Sequence, residues 1–242
     1  MVDELRWQSS AMSHAGAVRT INEDALLERG QEGLWVVADG MGGHEAGEVA
    51  SQMVVDSLRS ISFSAMDVAD AVDCVEDCLL EVHQRIRQYS RDVCNGRVVG
   101  STVVAVVKRG ARGVCIWAGD SRLYRLRGFE LKQITEDHSQ VNEMVARGLL
   151  RPDQAKGHAL RNVITRAIGA METLYLDMTL FDLREGDCFL LCSDGLYGAI
   201  SEECIRMHLL KSNPDVIASA LVEDALVQGA RDNVTVVVIK AS

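Results

Sequence analysis

The feature that most constrains the fold of this chain is a set of short, strongly apolar segments with the length of β-strands. They are Leu34–Ala38, Thr102–Val107, Val114–Ala118, Leu123–Leu126, Cys188–Cys192 and Val234–Ile239. Several are apolar at every position, which predicts strands that are buried on both faces. Between the third and fourth segments, the sequence Gly119-Asp120-Ser121 predicts a turn that joins two antiparallel strands.

Helices are predicted between these strands at irregular intervals. In 67–87, apolar residues recur every three or four positions and form a stripe along one helix face. Further helices are predicted at 45–61, 201–210 and 215–228, with Ser201 as the N-cap of the second of these. Because strands and helices do not alternate strictly, the pattern argues against a doubly wound parallel sheet. It favours an α+β fold, in a single domain over 1–242, whose sheets are covered by helices on their outer faces.

Charge and composition exclude several functional classes. The 242 residues include 25 Lys and Arg against 35 Asp and Glu, and a net charge of −10 repels nucleic-acid backbones and anionic lipid. No apolar run reaches the ~18–20 residues of a membrane span, and the N-terminal residues do not resemble a secretory signal. The seven cysteines contain no C-x-x-C pair, and several lie in apolar stretches as small buried side chains. We therefore expect a cytoplasmic protein that binds neither nucleic acid nor membrane.

Aspartates fall at the ends of the apolar segments. Asp39, Asp120 and Asp194 each follow one, and Asp232 comes shortly before another. An antiparallel arrangement can bring all four to one edge, where carboxylates ~4 Å apart repel by about 4 kcal/mol at an effective dielectric near 20. Cations relieve that repulsion, and oxygen ligands without His or Cys favour Mg²⁺ or Mn²⁺. The alternative is that Asp-Gly and Asp-Asn are ordinary turn signals, and the spacing leaves both interpretations open.

Two further features are typical of phosphate binding. Arg19 lies four residues before the acidic pair Glu23-Asp24, and an arginine beside a carboxylate–metal cluster can hold a phosphoryl group with its planar fork of donors. A surface arginine in an irregular segment is the alternative. The Gly-rich loop at 39–44 precedes a helix, so its N–H groups can face an anion, although it lacks the Lys-Ser/Thr ending of a nucleotide P-loop.

Taken together, the motifs resemble the metal-dependent Ser/Thr protein phosphatases of the PP2C type (the PPM family), in their compact bacterial stand-alone form. The matching stretches follow the family order over nearly the whole chain and lie at 13–16, 19–24, 37–44, 100–102, 118–125, 135–139, 162–169, 192–196 and 231–235. The resemblance implies a four-layer α-β-β-α sandwich of two packed antiparallel sheets flanked by helices. This agrees with the pattern of apolar segments.

A mostly polar insertion at 140–161 resembles the flap of this family, which gives a flap subdomain at about 140–168. Lids of this sort often carry substrate preference. Arg161 and Arg166 can contact a phosphopeptide there or pair with acids of the protein. His138, just before the insertion, is expected to stabilise local structure.

The resemblance also implies a centre that holds two Mn²⁺ or Mg²⁺ ions. Asp39 would bridge both ions, and the Gly40 carbonyl would bind one of them. Asp194 and Asp232 would bind the other ion, and Glu23 would hold water molecules of the first coordination shell.

Other site roles follow from the same resemblance. Bacterial members often have a third, weaker ion, for which Asp120 with Asp194 is the matching pair. Arg19 corresponds to the phosphate clamp. His44 is a candidate general acid, although Met41 occupies the place directly after Asp-Gly where many eukaryotic relatives have His. A metal-bound water is the alternative acid.

The implied reaction is hydrolysis of phosphoserine and phosphothreonine on proteins, by in-line attack of a hydroxide that bridges the two ions. The implied partners are phosphoprotein substrates and a cognate bacterial Ser/Thr kinase, with type VI secretion as one setting, and we expect a monomer. One alternative is a non-catalytic domain of the same fold, although such domains usually lose acids that are all present here. The other is a metal-dependent phosphatase for a small phosphorylated metabolite or for one anti-anti-sigma-type regulator.

Overall fold

The computed structural model describes residues 6–43, 45–63, 66–155 and 157–241. In these ranges the strands are β1 (Trp7–His14), β2 (Asp24–Arg29), β3 (Leu34–Met41), β4 (Gly100–Ser101), β5 (Val103–Arg109), β6 (Arg112–Ala118), β7 (Arg122–Arg127), β8 (Glu130–Gln133), β9 (Asp177–Asp182), β10 (Cys188–Cys192) and β11 (Val234–Ala241). The α-helices are α1 (Ala46–Arg59), α2 (Val68–Asp92), α3 (Gln140–Ala146), α4 (Pro152–Ala155), α5 (Asp194–Ala199), α6 (Glu202–Leu209) and α7 (Pro214–Val227).

The strands form two antiparallel sheets. The first has the order β1-β11-β10-β7-β8, and the second has the order β2-β3-β5-β6-β9, with β4 paired to β3. Buried side chains of α1 and α2 pack against the second sheet, and those of α5, α6 and α7 pack against the first. The remaining core lies between the two sheets. The predicted four-layer α-β-β-α sandwich is therefore confirmed.

The continuously apolar segments arise because their strands contribute to two cores at once. On β3, Leu34, Val36 and Ala38 belong to the core under α1 and α2. Trp35 and Val37, which alternate with them, belong to the core between the sheets. All five side chains are at most 1% exposed. Since side chains alternate across a strand, only a strand covered on both faces needs an apolar residue at every position.

The predicted helices are present with small shifts in their ends. Ser201 caps α6, and its Oγ accepts a hydrogen bond of 3.2 Å from the N–H of Cys204. Asp67 caps α2 in the same way and accepts from two backbone N–H groups. None of the helices in the described ranges combines the length and the apolar character that a bilayer crossing requires.

The predicted turn at 119–121 does not join an antiparallel pair, and in this respect the prediction was wrong. β6 lies between β5 and β9 in the second sheet, whereas β7 lies between β10 and β8 in the first. Each of these strands already has a partner on both sides, so the connection passes from one sheet to the other. Gly119 has a φ of +112°, which favours glycine. This crossing places Asp120 where the chain leaves one sheet and enters the other.

Candidate metal centre

Acidic residues from distant parts of the chain converge at one end of the sandwich. Asp24 on β2 lies directly opposite Asp39 on β3 in the antiparallel register. Asp194 follows β10 and opens α5, and Asp232 comes just before β11, the strand that pairs with β10. Asp120 follows β6. The aspartates at the ends of apolar segments are therefore brought together, and Asp24 joins them.

Burial, together with the mutual proximity of these carboxyl groups, raises their pKa values. Burial, and then the charges of Asp24 and Asp194, raise the pKa of Asp39 well above its usual range. Burial, followed by the charges of Asp120 and Asp232, raises the pKa of Asp194 to about 8. Burial is also the largest cause that raises the pKa values of Asp24 and Asp120, each to about 6. A nearby cation would reverse this effect, because it stabilises the ionised carboxylates.

Three carboxylate oxygens at this centre are buried without a hydrogen-bond partner among the described residues. They are Glu23 Oε1, Asp24 Oδ1 and Asp120 Oδ1. Burying an ionised oxygen without a partner is costly, and such groups in native proteins are paired or coordinate a metal. A donor set made only of oxygens suits hard divalent cations such as Mg²⁺ and Mn²⁺. The residues present therefore fit a divalent metal centre.

Glu23 is held beside the centre by a loop that Asn233 fixes. The Oδ1 of Asn233 accepts a 2.8 Å hydrogen bond from the Glu23 N–H. Its Nδ2 donates to the carbonyl oxygens of Ala15 and Ile21, at 3.0 and 2.9 Å. From the sequence, Asn233 is assigned only to a turn signal before a strand. Its position next to Asp232 is the feature that could have indicated a role at this centre.

Two glycines allow the backbone to approach this loop closely. A Cβ on Gly47, in the first turn of α1, would lie 2.2 Å from Glu23 Oε1. A Cβ on Gly40 would lie 2.0 Å from the Gly47 carbonyl oxygen. Any larger residue at either position would therefore displace a group at the centre. Gly47 was not identified from the sequence, because nothing local to it indicates what packs against it.

Arg19 lies at the open side of the centre, against Asp232. Its Nη2 donates a 2.9 Å hydrogen bond to Asp232 Oδ2, and the two side chains are 50% and 42% exposed. This bond is the main cause that raises the pKa of Arg19. A guanidinium carries five N–H donors, so a half-exposed arginine with this contact retains donors for an anion.

Ser193 and Tyr197 also contact acidic residues of the centre, Asp24 and Asp120 respectively. Neither has an individual role predicted from the sequence. Ser193 Oγ donates to Asp24 Oδ2 at 2.7 Å, and the Tyr197 hydroxyl donates to the carbonyl oxygen of Asp120 at 2.9 Å. Tyr197 lies three residues after Asp194 on α5, so helical spacing places both near one face. That spacing is the signal by which Tyr197 could have been found.

His138 stabilises the crossing between the sheets, as expected. Its Nδ1 accepts a 3.1 Å hydrogen bond from the Gly119 N–H, and its Nε2 lies 3.1 Å from Asp177 Oδ2. Asp177 also accepts a 2.8 Å bond from Arg166, so this arginine pairs with an acid of the protein.

Arg161 is exposed. The candidate general acid His44 lies outside the described residues.

A groove of about 370 Å³ opens beside the Gly-rich loop. Its walls include Gly42 and Glu45 from the loop and the start of α1, together with Tyr89 and Arg97 from the end of α2 and the segment after it. A second groove of about 320 Å³ is lined by residues that include Arg166 and Tyr175. Both are large enough to hold a few side chains of a bound peptide.

Comparison with known proteins identifies the family. A sequence model of protein phosphatase 2C matches residues 13–224. A solved structure of PppA, described as a key regulatory component of the type VI secretion system in Pseudomonas aeruginosa, superimposes with a TM-score of 0.90 at 43% identity and covers 98% of both chains. The Listeria monocytogenes serine/threonine phosphatase stp is 32% identical over 233 residues, which are 93% of this chain and 92% of that protein.

Serine/threonine protein phosphatase PstP of Mycobacterium tuberculosis is 37% identical over 238 residues, covering 95% of this chain but 44% of PstP. The chain thus spans less than half the length of that relative. A structure of the PstP catalytic domain in complex with two manganese ions matches with a TM-score of 0.84 at 34% identity, over 98% of this chain and 99% of that one. The chain therefore belongs to the protein phosphatase 2C family of metal-dependent serine/threonine phosphatases.

Proposed function

We propose that this protein hydrolyses phosphoserine and phosphothreonine on proteins and requires Mn²⁺ or Mg²⁺. The observation that carries this proposal is the set of buried carboxylate oxygens without hydrogen-bond partners among the described residues, next to the half-exposed guanidinium of Arg19. Without a metal, burial and mutual repulsion raise the pKa values of the neighbouring Asp39 and Asp194 well above their usual range. Family membership supports the same conclusion, because relatives that match nearly the whole chain are named serine/threonine phosphatase or protein phosphatase.

Two divalent cations would be held by residues from both sheets. We assign Asp39 as the ligand shared by both ions and the Gly40 carbonyl as a ligand of one. Asp194 and Asp232 would bind the other ion, and Glu23 would act through bound water molecules. When bound, the ions activate a water molecule for attack and neutralise charge on the phosphoryl group. Asp120, with Asp194, would hold a third and weaker ion.

Arg19 would bind the phosphoryl group of the substrate. A guanidinium can donate two parallel hydrogen bonds to phosphate oxygens, and it remains charged at any physiological pH. Its bond to Asp232 supports this role, since the contact orients the fork at the edge of the acids. The proton for the leaving serine or threonine oxygen would come from His44 or from solvent.

The segment at 140–168 would act as a flap that contributes to substrate choice. The ion pair between Arg166 and Asp177 and the bond from Asp177 to His138 connect its end to Gly119, the neighbour of Asp120. The grooves beside the Gly-rich loop and beside Arg166 offer room for residues that flank the phosphorylated one. These features favour a protein substrate over a small phosphate ester.

The partner would be a bacterial Ser/Thr kinase whose phosphorylation this enzyme reverses. The likeness to PppA supports a setting in type VI secretion, and we place the enzyme in the cytoplasm as a monomer. The test is dephosphorylation of the autophosphorylated form of a Ser/Thr kinase encoded nearby. Absence of such a kinase from the genomic neighbourhood, together with no activity on any Ser/Thr kinase of the same cell, would contradict this assignment.

The phosphatase activity is tested with a phosphothreonine peptide, with and without Mn²⁺ and chelator. We expect turnover with Mn²⁺, loss with chelator, and loss in Asp39→Asn and Asp194→Asn. The control is Asp56→Asn, which removes an exposed acid on α1 that pairs with Arg59 and should behave like the wild type. Activity that survives chelation and both substitutions at the centre would contradict the proposal.

Turnover of the two kinds of substrate, together with Mn²⁺ binding, distinguishes the two alternatives. A phosphatase for a small metabolite would turn over a small phosphate ester at least as efficiently as the phosphopeptide, measured as kcat/KM. A non-catalytic domain would turn over neither and would bind no Mn²⁺ tightly.

A further inference from the structure

A second group of residues with side chains that can bind metals lies in the helical layer over the first sheet. The helices that carry it contain none of the residues assigned to the phosphatase site. Cys204 and His208 are on α6, and Asp224 is on α7. One ligand atom from each, a sulfur, an imidazole nitrogen and a carboxylate oxygen, lie within 4.8 Å of one another. All three residues are half-buried.

We propose that Cys204, His208 and Asp224 form a separate site for a borderline-soft divalent cation, for which Zn²⁺ is the best fit. Thiolate and imidazole ligands select zinc over magnesium and calcium, which prefer oxygen. The donor set thus differs in kind from the oxygen-only centre. With three protein ligands, the fourth position is open to water.

Two of the three distances between the ligand atoms can be compared with those of a tetrahedral zinc site, and the third is within 4.8 Å. Ligand atoms about 2.0–2.3 Å from zinc lie roughly 3.3–3.6 Å from one another. Cys204 Sγ is 3.5 Å from Asp224 Oδ2, and His208 Nε2 is 2.6 Å from the same oxygen. The first distance already matches, and the second needs to open by less than about 1 Å. A rotation of the half-exposed carboxylate provides that movement.

The two helices hold these ligands on a rigid base. Cys204 and His208 are four residues apart, so they project from one face of α6. Ile205 and Leu209 on α6 and Leu221 on α7 are fully buried in the shared core. Ligands on packed helices lose little freedom when a cation binds. The cation would also link α6 to α7.

One neighbouring charge opposes binding and provides a test. The Nζ of Lys211 lies 2.9 Å from His208 Nδ1, the ring nitrogen that must carry the proton when Nε2 binds a metal. Binding would also release the proton of the Cys204 thiol to solvent. Lys211 is exposed, and its four-carbon stem has several rotatable bonds, so its ammonium group can move away. Removing this charge should therefore strengthen binding.

The experiment is a titration of the metal-free, reduced protein, as the whole chain, with Co²⁺. Absorption spectra are recorded after each addition. Cobalt bound to a thiolate shows an intense sulfur-to-metal charge-transfer band in the near ultraviolet, which an oxygen-only centre cannot produce. We expect the amplitude of this band to correspond to one thiolate-bound cobalt per chain, beyond the cobalt that the oxygen-only centre takes up, and the band to disappear when Zn²⁺ is added.

Four variants connect the band to these residues. Cys204→Ser should abolish it, and His208→Gln should lower the apparent affinity at least tenfold. Lys211→Ala should raise the affinity severalfold. Cys78→Ser is the matched control, because Cys78 is another half-buried helical thiol, with Cys74 one turn before it on α2, and it should leave the band unchanged.

The wild-type spectrum is decisive even where a variant folds poorly. Absence of a charge-transfer band in the wild type would overturn the proposal. A band that persists in Cys204→Ser, or one that is lost in Cys78→Ser, would overturn it as well, because the thiolate ligand would lie elsewhere.

Discussion

At the residue scale, Arg19 links the proposed phosphate site to the acids through its bond to Asp232. Arg19→Ala removes this guanidinium, and we expect kcat/KM on a phosphothreonine peptide to fall about 10²–10³-fold, the usual loss for one donor to a developing anion. Arg19→Lys should recover only part of it, because an ammonium group cannot form the paired bonds of a guanidinium.

The Mn²⁺ affinity of Arg19→Ala distinguishes a role of Arg19 in phosphate binding from a role in holding the metal ligands in place. Removing the positive charge of Arg19 should leave the Mn²⁺ affinity unchanged or slightly tighter, as measured by calorimetry. Arg59→Ala, which removes an exposed arginine of α1 paired with Asp56, is the matched control and should retain full activity. Loss of activity caused by weaker Mn²⁺ binding would contradict the phosphate role.

The raised pKa values of the acids predict how the metal-free protein responds to pH. Burial and neighbouring charges raise the pKa of Asp194 to about 8 and those of Asp24 and Asp120 to about 6, whereas an aspartate in the unfolded chain titrates near 3.9. The folded protein therefore binds protons more tightly, and its stability falls as pH rises from about 4 to 8.

We expect the free energy of unfolding of metal-free protein, from urea titrations, to fall by a few kcal/mol between about pH 5 and pH 8. Saturating Mn²⁺ should remove most of this slope, since the cation replaces the protons. A metal-free protein that becomes more stable over this pH range would contradict the raised pKa values of these buried acids.

At the scale of the elements, the contact of α1 with the acidic loop depends on Gly47. Gly47→Ala would place a methyl group 2.2 Å from Glu23 Oε1, and the displaced carboxylate should lower the Mn²⁺ affinity about tenfold, as for other changes that disturb ligand orientation. Calorimetric titration with Mn²⁺ measures this effect.

Gly198→Ala is the matched control for Gly47→Ala. Gly198 also lies in a helix, α5, and a Cβ there would meet nothing within 4 Å. We expect this variant to gain about 0.5–1 kcal/mol of stability, since alanine is the better helix former, and to keep its Mn²⁺ affinity. Equal Mn²⁺ affinities for the two variants would contradict the close packing of α1 on Glu23.

The sequence was informative for elements that are buried on both faces and less so for those at the sheet edges. The continuously apolar segments all became strands. By contrast, the edge strands β1, β2, β8 and β9 were not predicted. In β1, Trp7–His14, side chains are exposed or half-buried throughout, so its strand structure depends on pairing with β11. A partner more than 200 residues away leaves no local signal in the sequence.

The same distinction applies to the site. Asp39, Asp120, Asp194 and Asp232 could be identified because each stands next to an apolar strand. The contacts of Asn233 with Glu23 and of Ser193 with Asp24 form only because distant strands pair, and the sequence alone does not contain those pairings. The error in the prediction for 119–121 has the same origin, since local sequence does not show that β6 and β7 enter different sheets.

At the scale of the whole molecule, the candidate metal centre is a consequence of the sandwich. Asp39 and Asp24 come from the second sheet, Asp194 and Asp232 flank adjacent strands of the first, and Asp120 lies on the crossing between them. Neither sheet alone supplies all of these acids. Packing of the sheets against each other through their shared core therefore assembles the site.

The central claim is that acids far apart along the chain bind two divalent cations together. Calorimetric titration of metal-free protein with Mn²⁺ tests it most directly, with Asp39→Asn as the variant and Asp56→Asn as the control. We predict two tightly bound ions per chain for the wild type and the control, and loss of both tight sites in Asp39→Asn, because Asp39 is the proposed shared ligand. Tight binding of two ions by Asp39→Asn, or no tight binding by the wild type, would contradict the account.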